Sequence, residues 1–157
     1  MFSKSFSYAL RGILYIALLQ DEERNIHVDE IAEQLAVPRH FMGKILKMLV
    51  KHNVLYSTKG PNGGFKVNEL TLSTPVLKIV EITDGLSAFD NCVLRLHKCD
   101  AQNPCPLHYQ MDGIKETLKR ELTTTIGDLL NKDKKDFLRS ITTLVEAQSQ
   151  NNLLQGS

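Results

Sequence analysis

Apolar residues recur at helical spacing through much of this chain, and the breaks between those runs mark its organisation. Leu10, Ile13, Leu14, Ala17 and Leu18 share one face of "SYALRGILYIALL" and predict a first helix over roughly 4–20. After the polar connector "QDEERN", the run "VDEIAEQL" predicts a short second helix with Ile31, Ala32 and Leu35 inward. Asp29 and Glu30 fall in its first turn, where the helix dipole favours carboxylates. "AVP" is a break, and Pro38 suits the first position of a third helix, "PRHFMGKILKMLVKHN". Its pattern predicts Phe41, Ile45, Met48 and Leu49 inward, with His40, Lys44, Lys47 and Lys51 on the opposite face. Two short helices joined by a short turn form a helix-turn-helix, and Ala32 and Ala36 are small enough to let them cross closely.

The period then changes. "VLYSTK", "GPNGG" and "FKVN" predict strand, turn and strand, a hairpin that after a helix-turn-helix is a wing. Lys59 and Lys66 are expected to flank its tip, with Asn62 inside it. Neither a Lys-Ser/Thr pair nor a helix follows those glycines, which excludes a phosphate-binding loop. "LSTPVLKIVEITDG" predicts one further helix, capped by Thr74, with Pro75 first and Gly85 past its end. Leu107, Met111, Ile114, Leu118 and Leu122, spaced 4, 3, 4 and 4 apart, predict a long amphipathic helix running through "PLHYQMDGIKETLKRELTTTIGDLL". Its stripe must be covered by the first helix or by the same helix of a second subunit. A last helix is expected over 134–147, and no internal repeat is present.

The expected fold is therefore mainly α with a small β wing: a winged helix-turn-helix with a long C-terminal dimerisation helix. The divisions expected are a DNA-binding domain over 1–85, a cysteine-containing loop over 86–108, dimerisation helices over 106–147 and a flexible tail over 148–157. The apolar run Ile13 to Leu19 is too brief to span a bilayer, and no export signal is evident, so the reducing cytoplasm is the expected compartment.

Charge points to a partner. The net charge is only +1, yet residues 39–68 hold six cations (Arg39, Lys44, Lys47, Lys51, Lys59, Lys66) and no acid, leaving thirteen basic against eighteen acidic residues elsewhere. A basic block on an acidic remainder suggests a polyanion, and a helix-turn-helix with a wing makes it double-stranded DNA. Arg39, His40 and Lys44 lie where the second helix of such a motif meets base edges, Lys47 and Lys51 further along, toward phosphates. Lys59, Asn62 and Lys66 are the wing's candidates, whereas Gly43 brings no side chain.

All three cysteines lie in "NCVLRLHKCDAQNPCPLH", spaced C-x6-C-x5-C, with His108 three residues after the last. A reducing compartment argues against a disulfide. Cys92, Cys99, Cys105 and His108 would suit zinc by ligand type, but structural zinc sites usually carry a closer cysteine pair. An iron–sulfur cluster fits wide loops and thiolate ligands better, 2Fe–2S ahead of 4Fe–4S, although purified protein can lack it. His108 is the nearest fourth ligand, with His97 a weaker one. A cluster-free regulator with a thiol switch or zinc site is the alternative. The chain carries no G-x-S-x-G, Walker loop, H-E-x-x-H or dinucleotide fingerprint, so an enzyme is not expected.

"YALRGILYIA", "VDEIAEQLAVPRHFMGKILKML", "STKGPNGGFKV", the cysteine triplet and "TTTIGDLL" together resemble the IscR/NsrR-type transcription regulators of the Rrf-two superfamily, over nearly the whole chain. The resemblance implies a homodimer joined through the long helix, DNA binding through the third helix and the wing, and cluster ligation by Cys92, Cys99 and Cys105. A symmetric dimer in turn implies a palindromic operator. Some members use a histidine soon after the third cysteine, which His108 matches; others use an N-terminal carboxylate, absent from "SKSFSY". Gly43 stands where the housekeeping cluster regulator has an acidic specificity residue, which implies a different operator.

Overall fold

The computed structural model describes residues 2–94, 96, 98–131 and 139–140. Helix α1 spans Lys4–Leu18 and is capped by Ser3, whose Oγ accepts from the Phe6 N–H at 3.1 Å. Ser3 is itself fixed from far along the chain, since its N–H donates to the Asp84 carboxylate at 2.8 Å. A short 3-10 turn, Gln20–Glu22, follows α1, which stops two residues before the expected end.

Helices α2 (Val28–Gln34) and α3 (Arg39–Lys51) form the helix-turn-helix. Between them Ala36 takes a left-handed φ of 52°. Its N–H donates to Glu33 O at 3.1 Å and that of Val37 to Ala32 O at 2.9 Å, the bonding that closes a helix C-terminus. Arg11 of α1 donates to the Leu35 carbonyl and satisfies another orphan acceptor. Asn53, at φ 58°, ends α3 in the same manner.

The buried face of α3 is Met42, Ile45, Leu46 and Leu49, packed with Ala9, Ile13 and Ile16 of α1 and Ile31 of α2. Each of the Ile, Leu and Met side chains contributes about 1.5–3 kcal/mol by leaving water. This corrects the expected face: Phe41 is 49% exposed and Met48 only half-buried. The i, i+3, i+4, i+7 set that contacts both α1 and α2 begins at residue 42, one position later.

Strands β1 (Tyr56–Thr58) and β2 (Gly64–Lys66) make the antiparallel wing, with Tyr56 opposite Lys66 and Thr58 opposite Gly64. Ile26 adds a bridge on the far side of β2, exchanging two 2.9 Å hydrogen bonds with Phe65. Gly64 permits this approach, because a Cβ there would lie 2.6 Å from Ile26 O.

The helix expected after Thr74 is α5 (Val76–Thr83), and an unpredicted short helix, α4 (Glu69–Ser73), precedes it. Asn68 starts α4: its Oδ1 accepts from Thr71 N–H at 3.0 Å, while Thr71 Oγ1 accepts from Asn68 N–H at 3.2 Å. Thr74 therefore ends α4 instead of capping α5, and Pro75 takes the N-cap position of α5. Asn68→Ala is expected to cost about 1 kcal/mol, read as a lower urea midpoint at unchanged slope.

Two further helices follow, α6 (Ser87–Asp90) and α7 (His108–Glu121). The long helix stops earlier than expected. Thr125 and Asp128 start a new helical segment over 126–131, each side chain accepting from the other's backbone N–H at 3.1 Å. The intervening chain is stitched to α5: Val76 N–H donates to Thr124 O at 2.9 Å, Leu77 N–H to Leu122 O at 2.8 Å, and Ile126 N–H to Thr74 O at 3.0 Å. Ile126 is fully buried, so one apolar cluster runs from Phe6 to Ile126. The helix expected over 134–147 and the tail over 148–157 lie outside the described residues, apart from 139–140.

Candidate nucleic-acid interface and cysteine site

The face of α3 opposite the core carries His40, Lys44, Lys47 and Lys51, all exposed. Concave surfaces flank this stripe on both sides. Toward the wing, a recess of about 420 Å³ is lined by Val28, Lys47, Thr58, Lys59 and Phe65, which brings Lys59 beside the stripe. Toward α1, a recess of about 500 Å³ is lined by Lys4, Tyr8, Phe41, Lys44 and Met48. Lys4 and Phe41 are not among the DNA contacts that the sequence predicts. The signal for Phe41 is weak: it falls outside the 42/45/46/49 set.

Other candidates are engaged elsewhere. Arg39 forms an ion pair with Asp29 in the first turn of α2, so the acid-free interval 39–68 is not acid-free in space. Lys66 lies at the base of the hairpin, opposite Tyr56, and its Nζ donates to Glu23 O at 3.3 Å; it does not flank the tip. Asn62 is at the tip, and its carbonyl accepts from Asn25 Nδ2 at 2.8 Å, which ties the wing to the loop before α2. Gly43 turns toward α2, where a Cβ would meet Val28 at 3.8 Å. Nearby, Arg24 holds the Glu30 carboxyl below its usual range through bonds of 2.7 and 2.8 Å.

The cysteines are gathered by a short bridge. Asn91 pairs antiparallel with Lys98, and Cys99 N–H donates to Asp90 O at 2.8 Å, so Cys92 and Cys99 lie at the neck of one loop, on its two sides. A turn closed by His108 N–H on Cys105 O at 2.9 Å places Cys105 just before α7. Cys99 Sγ lies 3.2 Å from His108 Nδ1, and the imidazole is buried. The Cys105 thiol lies near the other two: its partial burial foremost, then Cys92 and more weakly Cys99, pushes it above its ordinary pKa. All three cysteines are free thiols. Among the described residues no three His, Cys, Asp or Glu side chains group closely enough for a single metal ion, and His97 lies outside those residues.

The loop is tied to α7 by Lys115, a buried lysine whose Nζ donates to Asn91 O. Lys119 lies 3.7 Å from Asp90. The predicted stripe of α7 stays largely uncovered: Leu107 and Ile114 are exposed, while Met111 and Leu118 are half-buried. With Phe2, Val80, Phe89 and Val93, residues 111, 114 and 118 line an apolar groove of about 660 Å³. Among the described residues no helix is long and apolar enough to cross a membrane.

Comparison with known proteins agrees with this architecture. The family described as Rrf2, iron-dependent transcriptional regulator, matches residues 2–132. A protein of Aquifex aeolicus assigned as an HTH-type transcriptional regulator is 36% identical over 86% of this chain and 94% of its own length. The HTH-type transcriptional regulator NsrR of Geobacillus kaustophilus is 27% identical over 85% of this chain and 90% of its own. In fold the chain is similar to CymR (YrzC), the global cysteine regulator of B. subtilis, with a TM-score of 0.69 at 17% identity, covering 83% of this chain and 96% of that one. The protein belongs to the Rrf2 family of DNA-binding transcriptional regulators.

Proposed function

We propose that this regulator binds a palindromic duplex operator as a homodimer, and that an iron–sulfur cluster held by Cys92, Cys99, Cys105 and His108 sets its affinity. The observation that carries the cluster is the gathering of four donors at the neck of one loop, with the Cys99 thiol 3.2 Å from the buried His108 ring and Cys105 near Cys92 and Cys99. A single ion needs all its ligands around one point, whereas donors gathered more widely suit a larger group with two irons. Such a cluster supplies irons that respond to redox change and nitric oxide. The chain's own residues then connect the site to the fold. Lys115 holds the neck of the loop to α7, and the segment after α7 is bonded to α5. A shift of the loop would therefore move α7, whose uncovered stripe is the surface for the second subunit, and with it the spacing of two α3 helices. On this reading 1–85 binds DNA, 86–108 senses and the chain from 106 onward dimerises.

Anaerobically purified protein is expected to show visible absorption and equimolar iron and sulfide, both lost in Cys92→Ser. Colourless protein that cannot be reconstituted would exclude the cluster. A second reading is a cluster-free thiol switch, favoured by the contact between the Cys99 thiol and the buried imidazole. It requires metal-free protein whose DNA affinity changes with peroxide and no longer does so in Cys99→Ser.

A further inference from the structure

Phe41 is a large apolar side chain in the first turns of α3, where the helix of this motif meets base edges. It is 49% exposed, with its ring centroid 4.1 Å from that of His40. Its neighbours leave little else to read sequence. Arg39 is paired with Asp29, Met42 is fully buried, and Gly43 has no side chain. His40, Phe41 and Lys44 remain, and of these Phe41 is the one that offers a large apolar surface. Phe41 also lines the recess that Lys44 shares with Lys4, the first residue of α1. An apolar ring sharing a recess with two cations suits a surface that offers an apolar group beside phosphates. On base edges in the major groove that group is the C5-methyl of thymine.

We propose that Phe41 reads a thymine methyl in each operator half-site, with Lys4 and Lys44 on the flanking phosphates. The proposal rests on the DNA-binding reading of α3. It extends the interface to the side of the helix away from the wing, onto the first turn of α1. Because the ring is half in water, truncating it should leave the fold intact.

Selection supplies the operator for the test. Random duplexes are enriched on the full-length protein, and each thymine of the winning half-site is replaced by uracil, which removes only the methyl. At one position the wild-type protein should lose about fourfold in affinity, the scale of one buried methyl group. Phe41→Ala should bind the thymine duplex several-fold more weakly and be indifferent to that uracil, whereas Phe41→Leu should keep the preference. A half-site without a methyl-sensitive thymine overturns the proposal, as does a Phe41→Ala protein that retains the wild-type uracil penalty. Failure of the wild-type protein to enrich any duplex is a different result, and it takes the DNA reading down as well.

Discussion

Lys44→Ala combined with Lys59→Ala is expected to weaken operator binding about a thousandfold near 0.1 M salt, with the loss shrinking toward 1 M. The two lysines lie on different elements. Lys44 is on the exposed stripe of α3, while Lys59 enters from the wing beside Lys47. Neither contributes to the buried face formed by Met42, Ile45, Leu46 and Leu49, so their removal should not disturb folding. In a dimer, two lysines per protomer amount to four phosphate contacts. Each releases close to one counterion, so the slope of log K against log salt should become shallower by about 3–4. Lys78→Ala is the matched control: this lysine is also exposed, but it sits on α5 and pairs with Glu81 at 2.8 Å. Fluorescence anisotropy at several salt concentrations measures both quantities. An unchanged slope in the double variant would mean that α3 and the wing do not lie on the duplex.

Parts of this arrangement are legible in the sequence for identifiable reasons. The periodicity of α1, α2 and α3 and the glycine-rich turn of the wing are local signals, and each corresponds to the expected element. The signal for α4, before Thr74, is also local but is masked by the one that follows it. Pro75 draws the helix start to α5, although Asn68 and Thr71 upstream already carry the spacing of a capping box. Thr125 and Asp128 repeat that signal where the apolar period alone predicts a continuous helix. Non-local bonds are beyond the reach of pattern. The stitching of residues 122–126 to α5, the ion pair of Arg39 with Asp29 and the bond from Lys115 to Asn91 join groups that only the finished fold brings together. The same holds for the cysteines. Their clustering is evident in the chain, but which thiol faces which depends on the bridge between Asn91 and Lys98.

Gly64→Ala should cause a large loss of stability, about 3 kcal/mol, seen as a fall of about 10 °C in Tm. Gly64 has a φ of 141°, which an L side chain rarely adopts. The added Cβ would also stand 2.6 Å from Ile26 O and 2.8 Å from Ile26 C. Those are backbone atoms and cannot rotate aside, so the strand must move and the two hydrogen bonds between Ile26 and Phe65 must lengthen or break. Gly60 separates clash from backbone preference. Its φ is 104°, but nothing lies within 4 Å of a Cβ there. Gly60→Ala should therefore cost only the conformational part, about 1 kcal/mol. The two also differ in function. Moving β2 would shift Lys59 relative to Lys47, so the folded fraction of Gly64→Ala should bind DNA more weakly, with a shallower salt dependence. Equal losses of stability in the two variants would mean that the contact with Ile26 does not hold the wing in place.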